Sequence, residues 1–156
     1  EYFIADEWGA VEDDAARVTG AQLGDTITVR LTITLPHDVY YFVLEDPLPA
    51  GTEAVDTGLL TTSERVGGPS IRPAFDESPK WYWGWWLFDR TEMRDQQVNL
   101  YADYLPRGTY VYTYQVRAAF AGEFQTLPAH AYAFYFPEVF GRSAGVLFNI
   151  APAPAE

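Results

Sequence analysis

Residues 25–35, DTITVRLTITL, constrain this chain more than any other stretch. Ile27, Val29, Leu31, Ile33 and Leu35 fall on one side of an extended chain, and Thr26, Thr28, Arg30, Thr32 and Thr34 on the other. Strict alternation over ten residues has the period of a strand with one buried face, and no helix can segregate such a pattern. Gly24-Asp25 turns into this strand and Pro36-His37-Asp38 turns out of it. The fold must therefore supply a sheet and a second layer to cover the apolar side.

The rest of the chain repeats the theme. VYYFVL, residues 39–44, reads as a second strand stopped by EDPLPAG, whose two prolines and glycine interrupt pairing. Residues 63–79, with Gly67-Gly68-Pro69, Pro73 and Pro79, read as a long loop. Further strands are expected at 97–104, 109–120, 122–126, 129–135 and 142–150. Eight or nine strands, with no amphipathic helix and no internal repeat, predict an all-β antiparallel sandwich of the immunoglobulin or fibronectin type III kind. Tyr110 follows a Leu-Pro-x-Gly turn at the start of a long strand, where a tyrosine corner would form. A chain of 156 residues with 48% hydrophobic content fits one domain over residues 1–150, leaving APAPAE, residues 151–156, as a linker remnant. Starting at Glu1 with neither Met nor a leader-like run, it reads as a mature or excised piece.

Charge and composition exclude several functions. Twenty-two acidic against ten basic side chains give a net charge of −12, which opposes binding to nucleic acid or anionic lipid. No apolar run approaches the roughly 18–20 residues that cross a bilayer as a helix, so no membrane insertion is expected. Without cysteine there is no disulfide, thiolate metal site or cysteine nucleophile.

The candidate catalytic patterns are weak. GRSAG, residues 141–145, matches the G-x-S-x-G elbow, but Pro137 precedes it, a strand-like VLFNI follows it, and no Asp or His comes later. His37 and His130 lack metal-ligand spacing, so neither a metal nor a cofactor is expected. Asp13-Asp14 and Glu45-Asp46 are neighbours in sequence, which seldom places two carboxyls across a glycosidic bond. DRTEMRD, residues 89–95, reads as a solvated turn with local ion pairs. The chain is not expected to be an enzyme.

The most conspicuous segment is WYWGWWLF, residues 81–88, which holds four of the five tryptophans. On a strand, Trp81, Trp83, Trp85 and Leu87 share one face, and Tyr82, Gly84, Trp86 and Phe88 the other. Each aromatic buries on the order of 150–250 Å², so two apolar faces ask for cover on both sides. Burial in the core or against a neighbouring domain therefore competes with a second reading, a carbohydrate or adhesion platform built on Trp81, Trp83, Trp85 and Trp86. The Asn, Gln and Asp flanks usual for sugar binding are missing.

Four segments fall in a specific order: VLEDPLPAG (43–51), LYADYLPRGTYVYTYQVRA (100–118), GEFQTLPAHA (122–131) and FYFPEVFGRSAG (134–145). Together they resemble the C-terminal macroglobulin-like domain, MG10, of bacterial α2-macroglobulins, over roughly residues 24–145. The resemblance implies a non-enzymatic β-sandwich at the end of a large extracytoplasmic envelope protein, periplasmic or at the cell surface, that traps proteases. In many members of that family a separate domain carries a thioester, and a loop of the terminal domain lies against it. By that resemblance Tyr135 matches the tyrosine that excludes water from the thioester. Phe134, Phe136, Pro137, Glu138, Phe140, Gly141 and Arg142 complete the interface loop, with Pro137 and Gly141 fixing its shape and Arg142 anchoring it. This chain departs from the family in Phe134, where Met is usual, and in Phe136, where small or acidic residues are common. The implied partners are the thioester domain and other macroglobulin domains of the parent chain, and, through the parent, proteases.

Overall fold

The structure, a computed structural model, describes residues 1–5, 15–55, 70–73 and 88–153. The described residues contain strands and turns and no helix. The alternating segment forms β3 (Thr26–Leu35) and pairs antiparallel along its whole length with β9 (Gly108–Ala118). β1 (Tyr2–Ile4) lies on the free side of β3, while β5 (Thr52–Ala54) and β6 (Ser70–Pro73) share the far side of β9. β6 falls inside residues 63–79, read above as loop: its two-proline, glycine-rich surroundings hide a strand whose pairing is supplied by β9.

A second sheet runs β12 (Phe136–Arg142), β11 (His130–Ala133), β4 (Val39–Pro47), β8 (Gln97–Leu105), β7 (Arg90–Met93). A three-stranded sheet joins β10 (Gly122–Gln125), β13 (Leu147–Ala151) and β2 (Gly20–Gln22), the last pair parallel. Two expectations are corrected here. β4 runs on through Glu45, Asp46 and Pro47, because Pro47 closes the strand opposite Gln97 instead of stopping it three residues earlier. Residues 90–93 of the expected turn pair with β8, and the ion pairs Arg90–Glu92 and Arg94–Glu92 lie along that edge strand.

The core lies between the layers. Ile27, Val29 and Ile33 of β3 and Tyr110, Tyr112, Tyr114 and Val116 of β9 face Phe42 and Leu44 of β4 and Val98, Leu100 and Ala102 of β8. Phe148 and Ile150 of β13 close one end, with the Tyr2 ring tilted against Phe148 at 5.0 Å. The polar side of β3 is less open than its alternation implies: Thr28 is buried, and Arg30 lies 4.3 Å above the ring of Phe3. Long side chains covering apolar rings in this way bury their stems and keep the charge near water.

Tyr110 donates its hydroxyl to the carbonyl of Pro106 at 2.8 Å, the bond back to the preceding connection that defines a tyrosine corner. Burial raises the phenol above its usual pKa. Tyr110→Phe leaves the ring packed and removes that one bond. A loss of about 1 kcal/mol in urea unfolding, with the fold unchanged by circular dichroism, is expected. An unaltered midpoint would show that the carbonyl of Pro106 finds water equally well.

Candidate functional site

The interface residues read from sequence, 134–142, lie on one hairpin. β11 and β12 are joined by the two-residue turn Phe134-Tyr135, with Ala133 opposite Phe136. The next pair is Tyr132 opposite Phe140, so Pro137, Glu138 and Val139 form a bulge on β12 with no partner on β11. This corrects the reading of FPEVFGR as a loop. It is an edge strand, the setting that tolerates a proline without a ladder bond, and the bulge accommodates Pro137. Gly141 is not a shape-fixing residue either. Its φ lies outside the left-handed region, and a Cβ there would meet open space.

Every residue of β12 is exposed, and so are both turn residues. Phe134, Tyr135, Phe136 and Phe140 each expose about 60% of their surface (59%, 64%, 60% and 61%), and four large rings in water on one hairpin are the informative anomaly here. Tyr135 is held by rings. It meets Tyr41 edge-on at 4.9 Å and Phe134 edge-on at 5.2 Å. Among the described residues its hydroxyl has no hydrogen-bond partner, and Arg142 has no ion-pair partner. His130 stacks on Tyr132 at 5.1 Å and lies tilted against Phe140 at 5.8 Å, placing it in the same aromatic strip.

The residue that sequence reading missed is Tyr41. It sits within β4 at φ +52°, a left-handed conformation that is uncommon for a bulky side chain. Its carbonyl accepts the N–H of Phe134 at 2.8 Å. The β4 distortion thus docks the 134–135 turn onto the sheet and brings the Tyr41 ring against Tyr135. A cleft of about 300 Å³ opens beside it, walled by Tyr101, Tyr132, Phe134 and Tyr135 with Glu45 and Asp103 at its rim. Burial, followed by the charge of Glu45, raises the Tyr132 phenol. VYYFVL carries no local signal for this, because Tyr40 and Tyr41 are equally strand-like.

The weak chemical candidates take structural places. Ser143 accepts the N–H of Ala129 at 2.9 Å and donates to the carbonyl of Ala144 at 3.3 Å. With Thr126, which bonds both N–H and C=O of Val146, it ties the chain across the break between β10 and β11. Asp46 is buried and accepts the Tyr114 hydroxyl at 2.6 Å. His37 lies exposed in the β3–β4 turn, and no group of three or more potential metal ligands occurs among the described residues. Asp13, Asp14 and Trp81, Trp83, Trp85 and Trp86 lie outside the described residues. Phe88, the described end of the Trp-rich segment, is half-buried and packs on Phe42 and Tyr112 at 6.2 and 6.0 Å.

Two antiparallel layers over one core, a tyrosine corner and an exposed aromatic hairpin place the chain among immunoglobulin-like β-sandwich domains. Within that class, the family described as "Bacterial Alpha-2-macroglobulin MG10 domain" matches residues 1–138, and the chain belongs to it. It is 32% identical over 122 residues, 78% of its length, to the alpha-2-macroglobulin homolog of Nostoc sp.. It superposes on trypsin-activated alpha-2-macroglobulin from Escherichia coli with a TM-score of 0.69 at 20% identity, covering 97% of this chain and 10% of that one. Native Escherichia coli alpha-2-macroglobulin from domain MG7 to the C-terminus gives 0.67 at 19%, covering 97% and 23%. The chain spans 6% of the length of its Nostoc relative. The carbohydrate-platform reading gains no support from these relatives.

Proposed function

We propose that this is a non-catalytic domain of a bacterial alpha-2-macroglobulin-like protease trap, and that its 134–142 hairpin packs on a neighbouring domain and shields a thioester there until activation. The observation that carries the proposal is the exposed ring cluster around Tyr135, braced from within the domain by Tyr41 and Phe134. Apolar rings held in water by their own scaffold suit a dry cover over a hydrolysable bond. The domain runs one residue past the expected bound of 150, because Ala151 ends β13 opposite Gln22, and the residues after it act as a connector. The site is extracytoplasmic, periplasmic or cell-surface, as the resemblance implies. Its partners are the thioester domain and other macroglobulin domains of the parent chain, and proteases meet the parent, not this domain. Neither cofactor nor metal takes part. Among the described residues no helix is long and apolar enough to cross a membrane.

The test is Tyr135→Ala in the full-length parent. Two edge-on ring contacts are worth about 0.5–1.5 kcal/mol each, so the cover opens about tenfold more often. Free thiol should appear about tenfold faster on exposure to methylamine, without any protease. An unchanged rate rejects Tyr135 as the cover, and a parent that releases no thiol at all rejects the thioester reading itself.

A further inference from the structure

A second surface lies on the opposite side of β12 from β11. The edge of β3 is paired with β1 only through Val29, after which Arg30 exchanges both backbone bonds with Glu1, at 2.8 and 3.0 Å. Because N–H and C=O directions alternate along a strand, those of Thr32 and Thr34 point the same way as those of Arg30, away from β9. Among the described residues no strand meets them. Beyond this edge is a groove of about 590 Å³ between β3 and β12, floored by core residues Ile33, Val39, Phe42, Leu44 and Ala133. A core that the described residues leave open sideways, beside backbone they do not pair, offers a strand position.

We infer that this groove receives an extended polypeptide segment, antiparallel to β3 and collinear with β1 on its N-terminal side, that completes the sandwich. Continuity selects this occupant. The amino group of Glu1 is already bonded to the Arg30 carbonyl, Glu1 lines the groove, and the domain's relatives are many times longer than this chain. The register follows from Tyr2 opposite Val29. The first, third and fifth residues of the segment, counted outward from Glu1, lie opposite Leu31, Ile33 and Leu35 and share their core-facing side, as Tyr2 shares that of Val29. The second and fourth lie opposite Thr32 and Thr34. Five residues span about 17 Å of strand, and the occupant is apolar at its first, third and fifth positions. Nothing in this inference depends on a thioester.

The register makes the test sharp. Val-Thr-Val-Thr-Val fused ahead of Glu1 puts valines over Leu31, Ile33 and Leu35, whereas Thr-Val-Thr-Val-Thr puts them outward. Amide hydrogen exchange is followed at Thr32 and Thr34 at several protein concentrations. The in-phase fusion should slow both amides about tenfold or more and raise the melting temperature, at every concentration, while the out-of-phase fusion does neither. Equal behaviour of the two fusions overturns the proposal, as does slowing confined to β12. Protection in the unextended chain that grows with concentration alongside a dimer mass also overturns it, by assigning the groove to a second copy.

Discussion

Gly51→Ala is expected to lower the stability of the domain by about 2–4 kcal/mol, one of its two largest single-site effects. Gly51 has φ +87°, where an L side chain is strained by about 1–2 kcal/mol. A Cβ there would also clash with Cε2, Cζ and Cδ2 of the Phe124 ring of β10, adding overpacking of about 1–3 kcal/mol. The backbone cannot turn away, because the Gly51 carbonyl accepts the N–H groups of both Ala119 and Phe120, at 2.8 and 3.0 Å. Thr52 adds to the hold, donating its hydroxyl to the Pro49 carbonyl at 2.7 Å. Gly24→Ala separates the two terms. Gly24 has φ +96° with open space where a Cβ would stand, so it carries the conformational cost alone. Denaturant titration of both variants should find Gly51→Ala the worse by at least about 1 kcal/mol. Equal losses would mean that the Phe124 ring simply moves aside.

The EDPLPAG segment has a structural purpose that its place in a family pattern does not reveal. Asp46 bridges the two layers, Pro47 ends β4, Pro49 and Thr52 close the turn, and Gly51 seats β10 and the end of β9. It is a structural junction, far from the aromatic hairpin in its chemistry.

β3 was legible because it alternates, and alternation is a local property of residues that face one core; β4, β8 and β9 were legible as strand-rich runs between turn signals. Tyr110 was legible because its corner is formed within four residues. What escaped was non-local. Pro137 and Gly141 read as loop residues, yet pairing with β11 and the three-residue bulge absorb them into a strand. Ser70–Pro73 looks like connector until β9 supplies its bonds. Tyr41 was the deepest miss, since its left-handed backbone answers the Phe134 N–H, ninety-three positions later in the chain. The interface residues 134–142 lie on one hairpin. The brace that orients Tyr135 comes from a different strand, and no spacing rule connects the two.

Asp46 should make the domain more stable in mild acid than at neutral pH. Its carboxyl sits between the layers, on β4, under the Tyr114 hydroxyl of β9. Burial raises its pKa from 3.8 to about 6, against the opposing pull of the Tyr114 hydrogen bond and the Glu1 amino group. Burial likewise pushes the Tyr114 phenol well above its normal value and Tyr2, which senses the same carboxylate, to about 12, so neither ionises in this range. In the unfolded chain the carboxyl releases its proton near pH 3.8, and in the folded one near 6, so between these values the folded state holds the extra proton. Stability therefore falls as pH rises through that window, by about 2 kcal/mol between pH 4 and 7.5, and levels off above it. The net charge of −12 pushes in the same direction through repulsion among surface carboxylates, which is why the wild-type curve alone does not isolate the effect. Asp46→Asn does, since an amide oxygen still accepts the Tyr114 hydroxyl but cannot titrate. The difference between wild-type and Asp46→Asn unfolding free energies should drift by about 2 kcal/mol across the window, in favour of the variant at high pH. Two parallel curves would mean that water reaches Asp46 between the layers and that its carboxylate is ionised there at little cost.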